Sequence, residues 1–228
     1  MSPTSAPRTA RALARQELTS AITDAARTQL AEVGPAALSV RAVARELGMA
    51  SSAVYRYVAS RDELLTNLII VGYTELRHTA GDADQSVRRR TDFRGRWQAF
   101  ARAVRRWALD HPHEYALIYG SPVPGYAAPR TTVEPAIQVL RVLTELLRDI
   151  QDHDAAPEPL PVPRALHTSI TGMREFGEGI SDDLLVRGMM AWGGLLGSIS
   201  LELFGHLVGA VDDTDAYAEA VINRLAIV

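Results

Sequence analysis

Residues 39–64, SVRAVARELGMASSAVYRYVASRDEL, decide the fold. Val40, Val43, Ala44 and Leu47 recur at helical spacing and mark one apolar face. Ser39 stands at the N-cap position, where a hydroxyl can accept from a free backbone N–H. Gly48 can take the positive φ that ends a helix. A second, short helix is predicted from Ser51 to Val58, with Val54 and Val58 one turn apart on its inner side. Ser60-Arg61-Asp62-Glu63 fits a capping box, so a third helix starts there and turns Leu64, Leu65, Leu68, Ile69 and Leu76 inward. Helix, tight turn, short helix is helix-turn-helix geometry.

The short helix presents Ser51, Ser52, Tyr55, Arg56 and Tyr57 outward, and Arg61 sits just beyond. Hydroxyls beside arginines suit phosphate oxygens, and a helix N-terminus adds its own positive end. The alternative is a plain helical hairpin with solvated arginines.

The run SVRAVARELGM, the segment Tyr55-Arg56-Tyr57-Val58 and the segment Ser60-Arg61-Asp62-Glu63-Leu64 together resemble the TetR-type transcriptional repressors. The resemblance covers roughly residues 14–76. It implies that Arg41 reaches a base edge, that Ser51 and Ser52 open the recognition helix, and that Tyr55, Tyr57 and Arg61 hold phosphates. The expected DNA-contacting set is thus Ser39, Arg41, Ser51, Ser52, Tyr55, Arg56, Tyr57 and Arg61. Three departures stand out. Tyr57 replaces the commoner histidine but keeps a polar tip, and Val58 replaces a phenylalanine but keeps an apolar plug. Ala50 stands where a capping serine is frequent, which is expected to shift the cap to Ser51.

Composition agrees with an all-α fold: Ala, Leu and Arg dominate, and no strand-like alternation persists in the 228 residues. The net charge of −3 is unevenly distributed. Residues 1–61 carry a net +4 and the remainder −7, a basic head on an acidic body. All 24 basic residues are arginine, which excludes Schiff-base and P-loop lysine chemistry. The absence of cysteine excludes disulfides and thiol catalysis, and is compatible with a reducing cytoplasm, the expected location. Residues 1–10 hold no apolar h-region, so no secretory signal is expected. The apolar run Met189–Leu201, bounded by Arg187 and Glu202, is expected to be too short for a membrane span.

The expected organisation begins with a Ser/Pro/Thr-rich disordered tail at 1–10 and a helix-turn-helix domain at 11–60. The first helix of that domain presents Leu18, Ile22, Ala26, Leu30 and Val33 inward and stops at Gly34-Pro35. A connecting helix follows at 61–80 and a linker at 81–91, whose Arg88-Arg89-Arg90 reads as solvated. A ligand-binding and dimerisation domain fills 92–228. Its helices are expected at about 92–110, 111–119, 132–152, 164–179, 182–208 and 213–227.

Within that body, Trp97, Phe100 and Trp107, then Tyr115 and Tyr119, then Met173, Phe176, Met189 and Trp192 supply aromatic and thioether surface for an apolar pocket. His167 is expected as a polar anchor there, and ordinary core packing is the competing explanation. Gly193, Gly194, Gly197, Ser198, Leu201, Phe204 and Gly205 form a small-residue and apolar stretch near the C-terminus. The family resemblance implies that the last two helices pair with their copies in a dimer. Trp192–His206 also resembles a subgroup of this family marked by a Trp and a Gly-rich helix.

The sequence therefore predicts a homodimeric repressor that reads a palindromic double-stranded operator and is released by a small, largely apolar molecule. It needs no cofactor, metal or membrane. His111-Pro112-His113 lacks a second ligand cluster. Asp212-Asp213-Thr214-Asp215 lacks the glycine and distal glutamate of a calcium loop. No G-x-S-x-G elbow or phosphate loop supports an enzyme. A ligand-independent, architectural DNA-binding protein is the other reading, and it predicts weak sequence preference with steep salt dependence.

Overall fold

A computed structural model describes residues 10–228. The tail expected at 1–10 lies outside the described residues except for Ala10, which opens the first helix. Among the described residues there is no strand. The helices are α1 (Ala10–Ala37), α2 (Val40–Glu46), α3 (Ser51–Val54), α4 (Arg61–Ser86), α5 (Phe93–Asp110) and α6 (Pro112–Tyr119). They continue as α7 (Val133–Asp152), α8 (Arg164–Ser169), α9 (Thr171–Phe176), α10 (Asp182–Leu203) and α11 (Thr214–Arg224).

Two apolar cores share one helix. The N-terminal core gathers Ile22, Ala26 and Leu30 of α1, Val43 and Ala44 of α2, and Val54 of α3 over Leu64, Leu65 and Leu68 of α4. Each buried leucine there contributes on the order of 1.5–3 kcal/mol. The body core takes over at Leu76 and Ala80 of the same helix and adds Trp97, Phe100, Val104, Trp107, Tyr115, Leu143 and Leu195. The 26 residues of α4 span about 39 Å at helical rise, so one rigid rod runs through both cores.

Local chemistry explains the boundaries. Ser60 accepts from Glu63 N–H at 3.1 Å, and the Glu63 carboxylate reaches back to Ala59 N–H at 2.6 Å, one residue earlier than a standard capping box. Gly48 has φ 64°, a conformation that costs glycine little, and it ends the turn after α2 as expected. The regular first helix breaks at Gly34 (φ 72°, ψ 171°), as expected, and a short helical turn over Pro35–Ala37 follows the break. Val33, the last residue before the break, is exposed and so leaves the inward face assigned to it.

The break expected over 81–91 shrinks to residues 87–92. The last turns of α4 persist because Asp84 is buried and accepts from Arg96 Nε at 2.8 Å and Arg90 Nη2 at 2.5 Å. Tertiary pairing of this kind overrides the weak helix propensity of Gly81 and Asp84. Arg90 is consequently an ion-pair partner rather than part of a solvated run. Arg96, only 1% exposed, also reaches Asp149 of α7 at 2.7 Å and ties α4, α5 and α7 together.

The segment expected as one helix at 164–179 is two short ones, separated at Ile170. The helix expected to reach Val208 ends at Leu203 and passes into turns. Its 22 residues are long and apolar enough, by length and composition alone, to cross a membrane, although the uncharged run Met189–Leu201 covers only part of them. Leu184, Leu185, Ala191, Trp192, Leu195 and Ile199 of α10 are buried in the body core instead. Arg105 of α5 fixes the end of α10 by a bidentate pair with Glu202 (2.6 and 2.8 Å) and a contact to Asp215 in the first turn of α11 at 2.7 Å. These bonds hold the Arg105 guanidinium above its ordinary pKa.

Candidate DNA-reading surface and body cavities

The helix-turn-helix places its polar side chains by burying its apolar ones. Val43, Val54 and Val58 are fully buried, which leaves Arg41, Arg45, Ser52, Tyr55 and Arg56 exposed. The second helix is shorter than expected: regular helix ends at Val54, and Tyr57 N–H and Val58 N–H both donate to the Val54 carbonyl (2.9 and 3.1 Å). This tightened turn swings Val58 into the core and keeps Tyr55 and Arg56 out. Neither short helix has a side-chain cap. Ser39 is the N-cap of α2 but makes no cap hydrogen bond, and Ala50, not Ser51, occupies the N-cap of α3. The first backbone N–H groups of both helices are therefore left without a side-chain acceptor from the cap.

Arg41, Arg45 and Arg56 make no side-chain hydrogen bond or ion pair among the described residues. Unpaired guanidiniums on one exposed face are what phosphates and base edges require. Arg45 was missed by the sequence reading, although its position four residues after Arg41 puts both on one side of α2. Two expected contacts are engaged within the protein. Arg61 donates to the Pro35 carbonyl at 2.9 and 3.3 Å, stapling the end of α1 to the start of α4. Tyr57 is half-buried against the N-terminal core, with the Arg15 guanidinium 5.6 Å above its ring.

These features coincide with what the chain resembles. Residues 22–68 match the bacterial regulatory proteins of the tetR family, and residues 97–225 match the tetracyclin repressor-like C-terminal domain. The chain belongs to the TetR family. It is a DNA-binding transcriptional regulator and not an enzyme. It is 41% identical over 207 residues to the HTH-type transcriptional regulator Rv1816 of Mycobacterium tuberculosis, an alignment covering 85% of this chain and 83% of that protein. The crystal structure of the regulatory protein SCO4313 superposes with a TM-score of 0.78 at 32% identity, covering 96% of this chain and 98% of the other. At 14% identity, the structure of SmeT shares the fold alone, with a TM-score of 0.58 over 93% of each chain.

In this TetR-family body, two apolar cavities lie along α7. The larger, about 570 Å³, is bounded by Ile69 and Tyr73 of α4, Leu117 and Ile118 of α6, the loop 120–128, and Ala136, Ile137 and Leu140 of α7. No charged side chain lines it. The smaller, about 40 Å³, lies between Leu140, Leu147, Met173, Phe176, Leu185 and Met189. Met173, Phe176 and Met189 line this smaller cavity.

The other aromatic residues expected there line neither cavity and form the body core. Trp97 Nε1 donates to the Ile222 carbonyl at 2.8 Å, and Phe100 packs between Trp97 and Trp192 at ring separations of 6.0 and 5.9 Å. Trp107 stacks on His111, and Tyr115 donates to the Leu196 carbonyl at 2.9 Å. Burial pushes the Tyr119 hydroxyl well above the usual phenol range. Their helical spacing is core spacing, which periodicity cannot tell from a pocket wall. His167 is an exposed member of a cluster with Arg174 and Asp182, away from both cavities.

The stretch expected as a dimer surface divides by facing. Gly193 and Gly197 have open space where a side chain would stand, and they share a stripe of α10 with the exposed Met190 and Leu201, beyond which Phe204 and Val208 are exposed in the following turns. Gly205 is exposed too, in the turn after α10, and Ser198 is half-buried. Gly194 faces inward: a Cβ there would meet Leu225 at 2.7 Å. Its small size serves packing within one chain.

Proposed function

We propose that this regulator is a repressor acting in the cytoplasm, binding a palindromic operator as a homodimer and leaving it when an uncharged, largely apolar molecule occupies the larger cavity. The observation that carries the DNA part is the exposed α2–α3 face, where Arg41, Arg45 and Arg56 have no partner among the described residues and Tyr55 is exposed beside Arg56. One such face reads too few base pairs to be specific, and two related by a two-fold axis read successive major grooves. The exposed stripe of Met190, Gly193, Gly197 and Leu201 supports the pairing, because small residues let a partner helix approach closely. The ligand part is supported by a cavity of ordinary ligand size with no charged wall, where an ionic effector would lose its hydration without compensation. SmeT, of the same fold, is solved with triclosan.

Selection of bound duplexes from random DNA at near-physiological salt tests the reading. An enriched inverted repeat with half-sites about 34–36 Å apart is the expected result. Salt-sensitive binding without enrichment would overturn it in favour of an architectural DNA-binding protein.

A further inference from the structure

The loop joining α6 to α7 belongs to both halves of the molecule. Val123, 8% exposed, is buried in the N-terminal core among side chains that otherwise all come from residues 22–68. Three residues farther on, the Tyr126 hydroxyl lies 2.9 Å from Thr66 Oγ1 of α4. Tyr126 and Leu117 also pack on that core. The same Leu117, Val123 and Tyr126 line the larger cavity. One layer of side chains thus separates the cavity from the core on which α2 and α3 rest.

We propose that the loop Gly120–Pro129 is the lever by which occupancy of the cavity reaches the helix-turn-helix, with Val123 as its plug and the Tyr126–Thr66 bond as its fulcrum. This rests on the ligand response proposed above and assigns the residues that transmit it. Close-packed interiors absorb little displacement, so a shifted wall must move what lies behind it. Pushed inward, Val123 crowds the core beneath Val43 and Val54, and withdrawn, it leaves a void there. Either change re-aims α3 relative to α2. Val123 and Tyr126 come from the loop and meet α4 at Thr66, so substitutions at either loop residue separate the loop's contribution from a movement of α4 itself.

The test needs no effector, because a large side chain can stand in for one. Ala136→Trp projects an indole into the cavity from α7, and Ile137→Phe is the second filler should the first fail to fold by circular dichroism. In the otherwise natural chain, the filler is expected to weaken operator binding at least about tenfold and to speed amide exchange in residues 40–58. In a Val123→Ala or Tyr126→Phe background, the same filler is expected to change both by less than about twofold. Equal effects of the filler in all backgrounds, or no effect in any, would overturn the lever. The exchange measurement requires no operator, so it decides the lever even where selection returns no enriched sequence and the repressor reading fails. Conversely, an operator released by a bound molecule through undiminished, loop-independent effects would sink the lever and leave the repressor reading standing.

Discussion

Arg27 of α1 lies 2.5 Å from Glu75 of α4, and its Nε lies 3.4 Å from Glu114 of α6, so a single guanidinium joins the first helix to two helices of the body. The contact to Glu114 is electrostatic rather than a well-directed hydrogen bond, since Arg27 Nε has no hydrogen-bond partner. Both carboxylates hold the Arg27 charge, and its pKa rises despite the opposing effect of burial.

Arg27→Ala leaves Glu114 nearly buried without its cation. The group is not fully desolvated, so the expected cost is about 1–2 kcal/mol, below that of a fully buried pair. For a chain of this size that lowers Tm by roughly 2–8 °C. Adding Glu114→Gln should recover part of the loss, because it removes the stranded charge. Thermal unfolding of the single and double variants checks this; a double variant no more stable than Arg27→Ala would contradict it.

Arg96 should matter more. It is buried, and it links Asp84, the Arg90 carbonyl and Asp149. Arg96→Met removes every one of these bonds and leaves the buried Asp84 with Arg90 as its remaining cation, at an expected cost of about 2–3 kcal/mol, below that of a fully stranded buried charge. That is a large share of the ordinary 5–15 kcal/mol of domain stability. Urea unfolding should show a lower midpoint, and amide exchange at the end of α4 should accelerate first.

On the DNA face, free and engaged arginines should behave differently. Arg56→Ala should weaken all duplexes and reduce the salt slope by about one unit, as loss of a phosphate contact does. Arg41→Ala should relax base preference at one position of each half-site, worth about 1–3 kcal/mol of discrimination. Arg61→Ala should instead lower thermal stability, because its guanidinium holds the Pro35 carbonyl. An unchanged Tm for Arg61→Ala, with weakened DNA binding, would return that residue to the phosphate-contacting set.

Asp182 provides a pH signature at the start of α10. Hydrogen bonding from Arg174, and then from His167, lowers its carboxyl from 3.8 to about 2. A depressed carboxylate stabilises the fold above its ordinary pKa, and the contribution disappears as pH falls through the folded value. The tie between α9 and α10 should therefore hold above about pH 4 and loosen between about pH 4 and pH 2. A carboxyl resonance titrating near 2, returning toward 3.8 in Arg174→Ala, is the expected observation.

Local chemistry made the N-terminal half legible. The capping box at Ser60, the positive φ at Gly48 and the apolar face of α2 depend on neighbours a few residues apart, and sequence records such neighbours directly. The larger cavity was not legible, because its walls come from Ile69, Leu117, Val123 and Ala136, which carry no distinctive chemistry and meet only in the fold. Aromatic residues drew attention to the wrong place: Trp97 and Trp107 are large, and large side chains fill cores. The end of α4 was hidden for a similar reason, since Asp84 reads as a helix breaker until Arg96, twelve residues away, is seen to hold it.

The glycines of α10 permit the sharpest test of the dimer. Gly193 and Gly197 are spaced by one turn of helix and open to solvent, whereas Gly194 abuts Leu225 of the same chain. If the open stripe pairs with its copy, Gly197→Glu places a charge where two helices meet and should convert the dimer to a monomer, with helical content unchanged. Gly194→Leu should do the reverse, disturbing α11 and lowering Tm while changing the association constant far less. Sedimentation and thermal melts on both variants separate the outcomes. A Gly197→Glu protein that remains dimeric would move the interface off this stripe, and the exposed Met190, Leu201 and Phe204 would then need another partner.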